Sequence, residues 1–349
     1  MKLGKKITSI GGSAFYESNN LRYINLHSVK RIGGSAFSGL GKLPRKLIIP
    51  VSVEQIEDYA FSGTKLEEVI FERSDAPLEI GMEILPPSVK SISLGRVLTK
   101  SYGKNYYTFN MEGLQEVFVN CNGLLCEGVF FGAQNLKKVT LEEGVTEIGN
   151  EAFRDCSSLE SVIIPSTVTR IGEHAFNGCT SILTLTIPST VNSIGSFGLN
   201  GIRNAVISDS AEPLDYEFYN NPFDEHPLEY LYCGRNLVGD NAFSGFGSLV
   251  ELTIGDQVTG KIEGRGLSKL EKLTIGSGIT GFHDGWAFYE CSSLKEVKIN
   301  QTTPPELSEY SHAFYETPRS EATLYVPKGS EDAYREANVW KEFGTIIGF

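Results

Sequence analysis

The sequence predicts a parallel β-solenoid, a fold in which short coils of chain stack on one another and share a parallel sheet. The first observation is a nine-residue phrase, IGEHAFNGC at residues 171–179, which recurs in recognisable form about every 20 to 27 residues along most of the chain. The second is a phrase of apolar-x-x-apolar-x-apolar, often closed by proline, that follows each copy. A repeat of this length is typical of proteins whose coils cannot bury their apolar faces alone. We therefore expect one solenoid of about 14 coils over residues 1–349.

The second phrase has the alternation of a half-buried strand. Val162 and Ile164 should point to one side of the strand, and Ser161 and Ile163 to the other. Proline and turn residues follow the phrase, so a hairpin is excluded and each strand must pair with the same strand of the next coil. The phrase predicts one strand per coil in a continuous parallel sheet. The fourteen copies of the phrase begin near residues 21, 44, 66, 89, 114, 136, 159, 182, 202, 228, 249, 270, 294 and 321.

The first phrase forms the return path of each coil. Its glycine permits a tight turn, and its Ala-Phe pair fills the interior between neighbouring coils. We expect the return segments to be short helical turns or irregular structure. Besides Ala175-Phe176, Ala-Phe pairs begin at residues 14, 36, 60, 152, 242, 287 and 313.

Read over residues 159–182, the two phrases resemble the BspA-like leucine-rich repeats of bacterial surface proteins. The closing segment, residues 323–330 followed by Tyr334, Trp340 and Phe343, looks like the C-terminal cap common in such proteins from Bacteroides-type anaerobes. The resemblance implies a leucine-rich-repeat solenoid of the α/β type, with a cap at residues 320–349. It also implies surface display, adhesion, or binding of proteins and glycans.

The cap should contain a short helix near residues 331–338. Ser330 is placed to accept hydrogen bonds from the first-turn amides, and Glu331 and Asp332 suit the positive end of the helix dipole. Three aromatic residues would then cover the last coil and prevent its edge from pairing with another chain: Tyr334, Trp340 and Phe343.

Charge and hydropathy narrow the class of ligand. The formal net charge is −12, so no excess of lysine and arginine is available to neutralise a nucleic acid. No apolar stretch approaches the roughly 18 residues of a membrane span. Basic residues open the chain without an apolar region behind them, which argues against a signal peptide. We expect an extracellular or cell-surface protein whose export signal lies upstream of this chain.

The cysteines and histidines have no catalytic or metal-binding spacing. Cys156, Cys179 and Cys291 occupy one repeat slot in which other coils have small residues, which favours buried thiols, although a disulfide between the first two is possible. Cys121 and Cys126 lie five residues apart, and no Cys-x-x-Cys pair indicates zinc. The five histidines share no spacing with a nucleophile. We predict a non-enzymatic protein without catalytic residues, cofactor or metal ligands.

The candidate binding surface is the solvent side of the sheet. In each strand phrase the third and fifth residues should point outward, and the fifth-position column is unusually apolar in its middle. Aromatic anchors in a charged surround are typical of interaction patches. We assign ligand contact to three outward rings, namely Phe118, Tyr230 and Tyr232. The alternative is that β-propensity alone places these residues in strands.

Two segments break the period, and both are rich in aromatic residues. The first, residues 96–110, contains Tyr102, Tyr106 and Tyr107. Insertions in solenoids often carry recognition, so we add these three tyrosines to the candidate ligand site. Alternatively, degenerate coils use such residues as core, which we prefer for Phe218 in the second segment.

The sequence therefore favours a monomeric binding protein whose strand-lined face contacts a macromolecule such as a host or matrix protein. One alternative is glycan capture, which would need rings beside Asn or Asp side chains in a groove. The other is a structural spacer within a larger surface protein. A spacer would show neither an apolar patch nor a groove.

Overall fold

The computed structural model of the chain is a parallel β-solenoid of about 14 turns. It describes residues 4, 6–100, 109, 111–195, 202–216, 228–238, 243, 246–283, 286–308 and 311–349. These residues form two compact units, one up to Leu183 and the other from Thr184 onward. Both units have a front face, built by the apolar phrase, and a return face, built by the Ile-Gly and Ala-Phe phrase. A single domain over residues 1–349 stays a prediction.

The front face is a parallel sheet in each unit. In the first unit its strands are, in order of pairing, β3 (Lys46–Ile49), β5 (Glu68–Phe71), β7 (Ser91–Leu94), β9 (Glu116–Val119) and β11 (Lys138–Leu141). In the second unit they are β14 (Thr184–Ile187), β16 (Asn204–Ile207), β18 (Tyr230–Cys233), β20 (Glu251–Ile254), β22 (Lys272–Ile275), β24 (Glu296–Ile299), β25 (Thr323–Val326) and β26 (Thr345–Gly348). Adjacent front strands pair residue for residue without a shift, as expected if each coil repeats the last.

Twelve of the fourteen strand phrases form front strands at the predicted places. The phrase at Leu21 contains no strand, and the phrase at Leu159 contributes only a single bridge, from Ser161 to Lys138. Strand β26 was not predicted, because its sequence TIIG lacks the spacing of the repeat phrase.

The return face contains strands where we expected helical turns or irregular segments. In the first unit they are β1 (Ser9–Ile10), β2 (Arg31–Ile32), β4 (Gln55–Ile56), β6 (Leu78–Ile80), β8 (Leu98–Lys100), β10 (Gly123–Leu125), β12 (Val145–Ile148) and β13 (Arg170–Ile171). In the second unit they are β15 (Ser193–Ile194), β17 (Leu214–Tyr216), β19 (Leu237–Val238), β21 (Gly260–Ile262) and β23 (Ile279–Phe282). The isoleucine of the Ile-Gly phrase thus belongs to a short parallel strand, and the prediction of a single sheet was incomplete.

The turn after several return strands explains why no helix forms there. Ser13, Ser35, Glu151 and His174, which precede the Ala-Phe pair, have φ between 53° and 55°. This left-handed conformation cannot continue a right-handed helix. Across the described residues, the α-helical structure is confined to α1 (Glu331–Glu336) in the cap.

The phenylalanines of the Ala-Phe pairs stack on one another through the interior. Phe153 is fully buried, and its ring centroid lies 5.6 Å from that of Phe130 and 5.5 Å from that of Phe176. In the second unit, Phe288 and Phe314 repeat this stack at 5.4 Å. Offset stacking at this distance adds to the apolar burial, so the ladder holds neighbouring coils together.

The repeat slot that contains Cys156, Cys179 and Cys291 holds buried thiols, as the sequence predicts. All six cysteines are buried and free of disulfides. The Sγ atoms of Cys156 and Cys179 donate to the carbonyl oxygens of Phe130 and Phe153, one coil away, at 3.3 and 3.1 Å. Burial raises the pKa of the Cys291 thiol to about 12, so this sulfur is a poor nucleophile.

Two arginines, Arg96 and Arg235, are fully buried. The guanidinium of Arg235 donates from Nη1 to the carbonyl oxygen of Ser189 at 3.0 Å and from Nη2 to that of Pro188 at 3.3 Å, and Nη2 also contacts the carbonyl of Val191. Arg96 bonds in the same way to four turn carbonyls of two earlier coils. Each arginine satisfies turn carbonyls that no strand partner reaches.

We expect Arg235→Met to lower the free energy of unfolding by about 2 to 4 kcal/mol, because it leaves buried carbonyls without donors. Arg203→Met is the matched control, since Arg203 is exposed and its ion pair with Glu229, at 3.7 Å, lies at the surface. This control should change stability by less than about 0.5 kcal/mol. Urea denaturation measures both values, and equal losses would contradict a structural role for the buried guanidinium.

The C-terminal cap covers the last coil with aromatic residues and one further strand. Tyr334, Trp340 and Phe343 are buried, as predicted. The Trp340 indole donates to the carbonyl of Pro305 at 2.9 Å, and the Tyr334 hydroxyl donates to that of Gln301 at 2.9 Å. A 3₁₀ turn, residues 340–342, follows α1. The cap bounds of 320–349 stay a prediction.

Two details of the cap prediction were wrong. The Ser330 side chain makes no bond to the first-turn amides of α1, because its hydroxyl donates to the carbonyl of Pro327 at 2.6 Å. The aromatic residues were also expected to leave the edge of β25 without a strand partner. Instead, β26 pairs with this edge in parallel. Beyond β26, Arg335 of α1 donates to the carbonyl of Ile346 at 3.4 Å and so occupies one of the edge acceptors.

Candidate functional site

The front face presents the predicted third and fifth residues of each phrase to solvent. In β9, for example, Glu116 and Phe118 are exposed while Val117 and Val119 are buried. Oppositely charged residues on adjacent strands form ion pairs across this face, such as Lys46–Glu68 at 2.7 Å and Lys272–Glu296 at 3.6 Å. Exposed ion pairs of this kind contribute little to the free energy of unfolding. Their main effect is to surround the apolar side chains of the face with charged groups.

Phe118 lies on the front face of the first unit. Its side chain is 36% exposed, and its register partners are Ser93 on β7 and Thr140 on β11. Ile48 and Ile163, in the same outward column, are 47% and 83% exposed. The first unit therefore presents apolar side chains, although none of them has a polar group that would fix a ligand's orientation.

Tyr230 and Tyr232 lie side by side on β18, on the front face of the second unit. Both are half-buried and point outward, with Leu231 and Cys233 facing the core. Tyr230 is paired in register with Asn204 and Glu251, and Tyr232 with Val206 and Thr253. We name the cluster of Tyr230, Tyr232 and Asp209 the tyrosine site.

The Tyr232 hydroxyl is fixed by a carboxylate. It donates to Oδ1 of Asp209 at 2.6 Å, and this hydrogen bond, with burial, raises the pKa of Tyr232 to about 12. The Tyr230 hydroxyl hydrogen-bonds to the Thr253 side chain, and burial raises the pKa of Tyr230. Both phenols are therefore neutral at physiological pH.

Glycines at the ends of two neighbouring strands make room for this contact. A Cβ atom at Gly234 would lie 2.3 Å from Oδ1 of Asp209, and one at Gly255 would lie 2.9 Å from the Tyr232 hydroxyl. No side chain fits at these distances, so the two glycines are required for the Tyr232–Asp209 hydrogen bond.

A second carboxylate continues the polar rim beyond the tyrosine site. Asp256 Oδ1 accepts hydrogen bonds from the backbone N–H of Ser277 at 2.6 Å, from its hydroxyl at 3.0 Å, and from the amide of Asn300 at 3.3 Å. The Ser277 backbone N–H is the main cause of the lowered pKa of Asp256. The rim is thus a fixed row of acceptors and donors at the carboxyl ends of β20, β22 and β24.

The remaining candidate residues, Tyr102, Tyr106 and Tyr107, lie outside the described residues, as does Phe218. The six candidates are therefore not all brought together. Phe118 belongs to the first unit, and Tyr230 and Tyr232 belong to the second. The role of each in ligand contact stays a prediction.

Sequence reasoning missed a cleft of about 340 Å³ in the first unit. It lies between residues 23–27 and strand β3, with Leu26, Leu47 and Leu66 among its lining residues. The cleft exists because the phrase at Leu21 does not pair with β3. No signal in the sequence could have shown this, since the phrase has the same spacing as those that form strands.

A group of exposed and half-buried aromatic residues on the return face of the second unit was also missed. It contains Trp286, Tyr289, His312 and Tyr315, whose ring centroids lie 4.9 to 6.1 Å from their neighbours. The signal was present, because Ala-Phe-Tyr-Glu occurs at residues 287–290 and again at 313–316.

Within the described ranges, no group of three or more His, Cys, Asp or Glu side chains is arranged to hold a metal ion. No helix there combines the length and apolar character needed to cross a bilayer.

Comparison with known families agrees with the coil architecture. The model of the BspA type leucine rich repeat region matches six copies in this chain, at residues 1–82, 105–223 and 217–336. The chain belongs to this family. No curated protein matches it by sequence. The BspA-type repeat thus accounts for both faces of the coil, the Leu-x-x-Val-x-Ile strand and the Ile-Gly-x-x-Ala-Phe return path.

Solved structures of leucine-rich-repeat proteins are similar to the chain. One from Bacteroides ovatus is 19% identical, with a TM-score of 0.52, and the alignment covers 100% of this chain and 83% of that one. A leucine rich cell surface protein from Faecalibacterium prausnitzii is 18% identical, with a TM-score of 0.30, over 98% of this chain and 87% of that one. The pneumococcal vaccine antigen PcpA is 18% identical, with a TM-score of 0.32, over 92% and 85%. The Bacteroides structure supports the fold of this BspA-type chain.

Proposed function

We propose that this chain is a non-enzymatic leucine-rich-repeat protein, exported or displayed at the cell surface, that binds a macromolecule through its front face. The observation that carries the proposal is the tyrosine site on β18. Two adjacent outward rings share one strand, and one of them is held by a hydrogen bond of 2.6 Å to a carboxylate. Membership in the BspA-type family supports the surface location and the binding role.

The physical reason is preorganisation. An aromatic side chain has few rotatable bonds, and a tyrosine fixed through its hydroxyl loses little further freedom when a partner packs against it. The polar rim formed by Asp209 and Asp256 and the ion pairs around the strands would then select the orientation of the partner. We propose a protein partner, such as a host or matrix protein, and a monomeric state for the chain itself.

Glycan binding is a second candidate, and a specific observation favours it. The Tyr232 ring stands beside the carboxylate of Asp209, and the amide of Asn300 lies on the same rim through its bond to Asp256. Rings next to such groups can stack on a sugar and hydrogen-bond its hydroxyls. A purely structural spacer is disfavoured, because it has no use for two outward tyrosines and the glycines that accommodate them.

Tyr232→Ser tests the proposal, and Tyr325→Ser is its matched control. Tyr325 also points outward on the front face of the second unit, but its register partners are Lys298 and Ile347 and it lies on another strand. We expect Tyr232→Ser to weaken partner binding at least about tenfold, as expected for an aromatic anchor. Both variants should lose less than about 1 kcal/mol of stability, because outward side chains do not pack between coils.

Binding would be measured by quantitative pull-down from host extracellular material and, separately, on a panel of immobilised glycans. Retention of a protein that the control variant also retains and Tyr232→Ser loses would support the first candidate. The same pattern on glycans alone would support the second. Equal binding by all three proteins would show that the tyrosine site contacts no ligand. The same binding measurements on Phe118→Ser test whether the front face of the first unit contacts a ligand.

A further inference from the structure

The aromatic group on the return face of the second unit forms a surface patch with two carboxylates. We define the turn patch as Trp286, Tyr289, His312 and Tyr315 together with Glu290 and Glu316. Trp286 and Tyr315 are 41% and 47% exposed. The ring centroids of Trp286 and Tyr289 are 4.9 Å apart, and those of His312 and Tyr315 are 5.6 Å apart. Two consecutive coils thus place four rings within contact distance at the surface.

The repeat itself shows that coil packing does not require these rings. The patch residues occupy the slots immediately before and after the Ala-Phe pair. In other coils the same two slots contain Ser35 and Ser38, or His174 and Asn177. Those coils have the same buried phenylalanine ladder, so small or polar residues are sufficient there. The aromatic content of the turn patch therefore serves something other than stacking of the coils.

The turn patch also departs from the other coils in its backbone. In the earlier coils whose turns the structure describes, the left-handed residue is the one before Ala-Phe, whereas here it is the phenylalanine itself, with φ of 56° at Phe288 and 58° at Phe314. This conformation is unfavourable for a bulky residue. Its presence in the two consecutive coils that contain the patch indicates that the outward slots are held in a distinct arrangement.

Ring faces and charges indicate the chemistry of a ligand. Trp286 is stacked on His312 at 5.1 Å, and the guanidinium of Arg265 lies 5.9 Å from its ring centroid, paired with Glu263 at 2.5 Å. The Trp286 ring is therefore already engaged by these two neighbours. Tyr315 is stacked on Tyr289 at 6.1 Å and lies edge-to-face with His312 at 5.6 Å, and it remains nearly half exposed.

The carboxylates give the patch a negative charge. The Tyr289 hydroxyl is 3.3 Å from Oε2 of Glu316, so this carboxylate is anchored beside the rings. Within the described part of the chain, neither Glu290 nor Glu316 is in an ion pair with a lysine or arginine. Electron-rich ring faces and carboxylates both attract cations, and the chain has a net charge of −12.

We propose that the turn patch binds a basic segment of a partner protein, with a lysine or arginine side chain against the exposed Tyr315 ring and close to the Glu316 carboxylate. This site is on the return face and does not depend on the tyrosine site of the front face. A neutral glycan is the less favoured ligand, because it would use the ring but not the negative charge.

The chain contains its own matched control for this proposal. Ala-Phe-Tyr-Glu also occurs at residues 14–17 in the first unit, where Tyr16 is 53% exposed and the slot before the Ala-Phe pair contains Ser13 rather than an aromatic residue. The variant Tyr315→Asn with Glu316→Gln alters the patch, and Tyr16→Asn with Glu17→Gln makes the same chemical change outside it. Both remove one exposed ring and one carboxylate, but only the first variant removes them from a cluster of rings.

The probe is fluorescein-labelled octa-arginine, with octa-glutamate and chitohexaose for comparison, and binding is followed by anisotropy at low salt. We expect the patch variant to bind octa-arginine at least about tenfold more weakly than the unaltered chain, and the control variant to bind within about twofold of it. Added salt should weaken the binding, as expected for charge attraction at a surface.

Tryptophan fluorescence provides an independent measurement. The chain has two tryptophans, and Trp340 is fully buried, so a change on peptide binding reports on Trp286. Octa-arginine should change the emission of the unaltered chain and of the control variant, but not of the patch variant. Equal weakening in both variants would show only non-specific charge attraction, and would overturn the proposal. So would preferential binding of chitohexaose, or no binding of octa-arginine.

Discussion

Phe176→Ala should lower the free energy of unfolding by about 3 to 5 kcal/mol. The Phe176 ring is fully buried, and its centroid lies 5.5 Å from that of Phe153 in the neighbouring coil. Truncation removes both the apolar burial and the stacking contact. The cavity cannot close easily, because the strands of adjacent coils fix their separation at about 4.8 Å. Urea denaturation followed by circular dichroism measures the loss.

The control is Phe118→Ala, which deletes the same atoms from a partly exposed position on the front face. We expect this variant to lose less than about 1 kcal/mol, because its ring does not lie between coils. A loss below about 1 kcal/mol for Phe176→Ala as well would mean that the phenylalanine ladder does not hold the coils together.

Deleting residues 328–349 should cause the protein to aggregate. The deletion removes α1 and β26, and with them Trp340, whose ring centroid is 5.5 Å from that of Phe314 and 5.7 Å from that of Phe282. It would expose these rings and the full backbone edge of β25. An uncovered parallel edge next to an apolar surface is a template for pairing with another chain. Size-exclusion chromatography with light scattering measures the outcome.

Two point variants separate the parts of the cap. Ser330→Ala should remain monomeric and lose less than about 1 kcal/mol, because the Ser330 hydroxyl does not bond to the helix amides. Trp340→Ala should remain folded in part but lose roughly 3 to 5 kcal/mol, since its fully buried indole contacts the last coil. A truncated chain that stays monomeric would contradict the cap's role in protecting β25.

The sequence was sufficient to predict the coil and the direction of its side chains. The phrase around Val117 and Val119 has a period of two, and the Ala-Phe pair recurs in phase with such phrases, so most front strands and the buried ladder followed from spacing. The outward positions of Phe118, Tyr230 and Tyr232 followed from the same period. These features depend on local pattern, which every coil repeats.

Features that depend on three-dimensional contacts could not be read from the spacing. The return strands have only two to four residues, too short for a pattern of their own. The Ser330 hydroxyl had two alternatives, the helix amides or the Pro327 carbonyl, and only the turn geometry decides between them. The contact of Tyr232 with Asp209, 23 residues earlier, requires knowing how the strand ends align across coils.

The two buried arginines occupy an unusual place in the repeat, but this place alone does not predict that they are buried. Each follows a glycine at the end of a front strand, at Gly95-Arg96 and Gly234-Arg235, where other coils continue with proline or a polar turn. A charged residue in that place would ordinarily be taken as exposed. Its burial depends on turn carbonyls of earlier coils, which the sequence does not mark.

The reach of these arginines also limits how the number of coils can change. Arg96 bonds to the carbonyl of Val53, 43 residues earlier, and Arg235 to that of Val191, 44 residues earlier, a span of about two repeats in each case. Repeat arrays lengthen or shorten by duplication or loss of whole coils. Inserting or removing one coil within residues 53–96 or 191–235 would shift the guanidinium by one strand spacing, about 4.8 Å, relative to the carbonyls that it contacts. We therefore expect duplications to be tolerated in the coils outside these stretches, and these two stretches to keep a fixed number of coils.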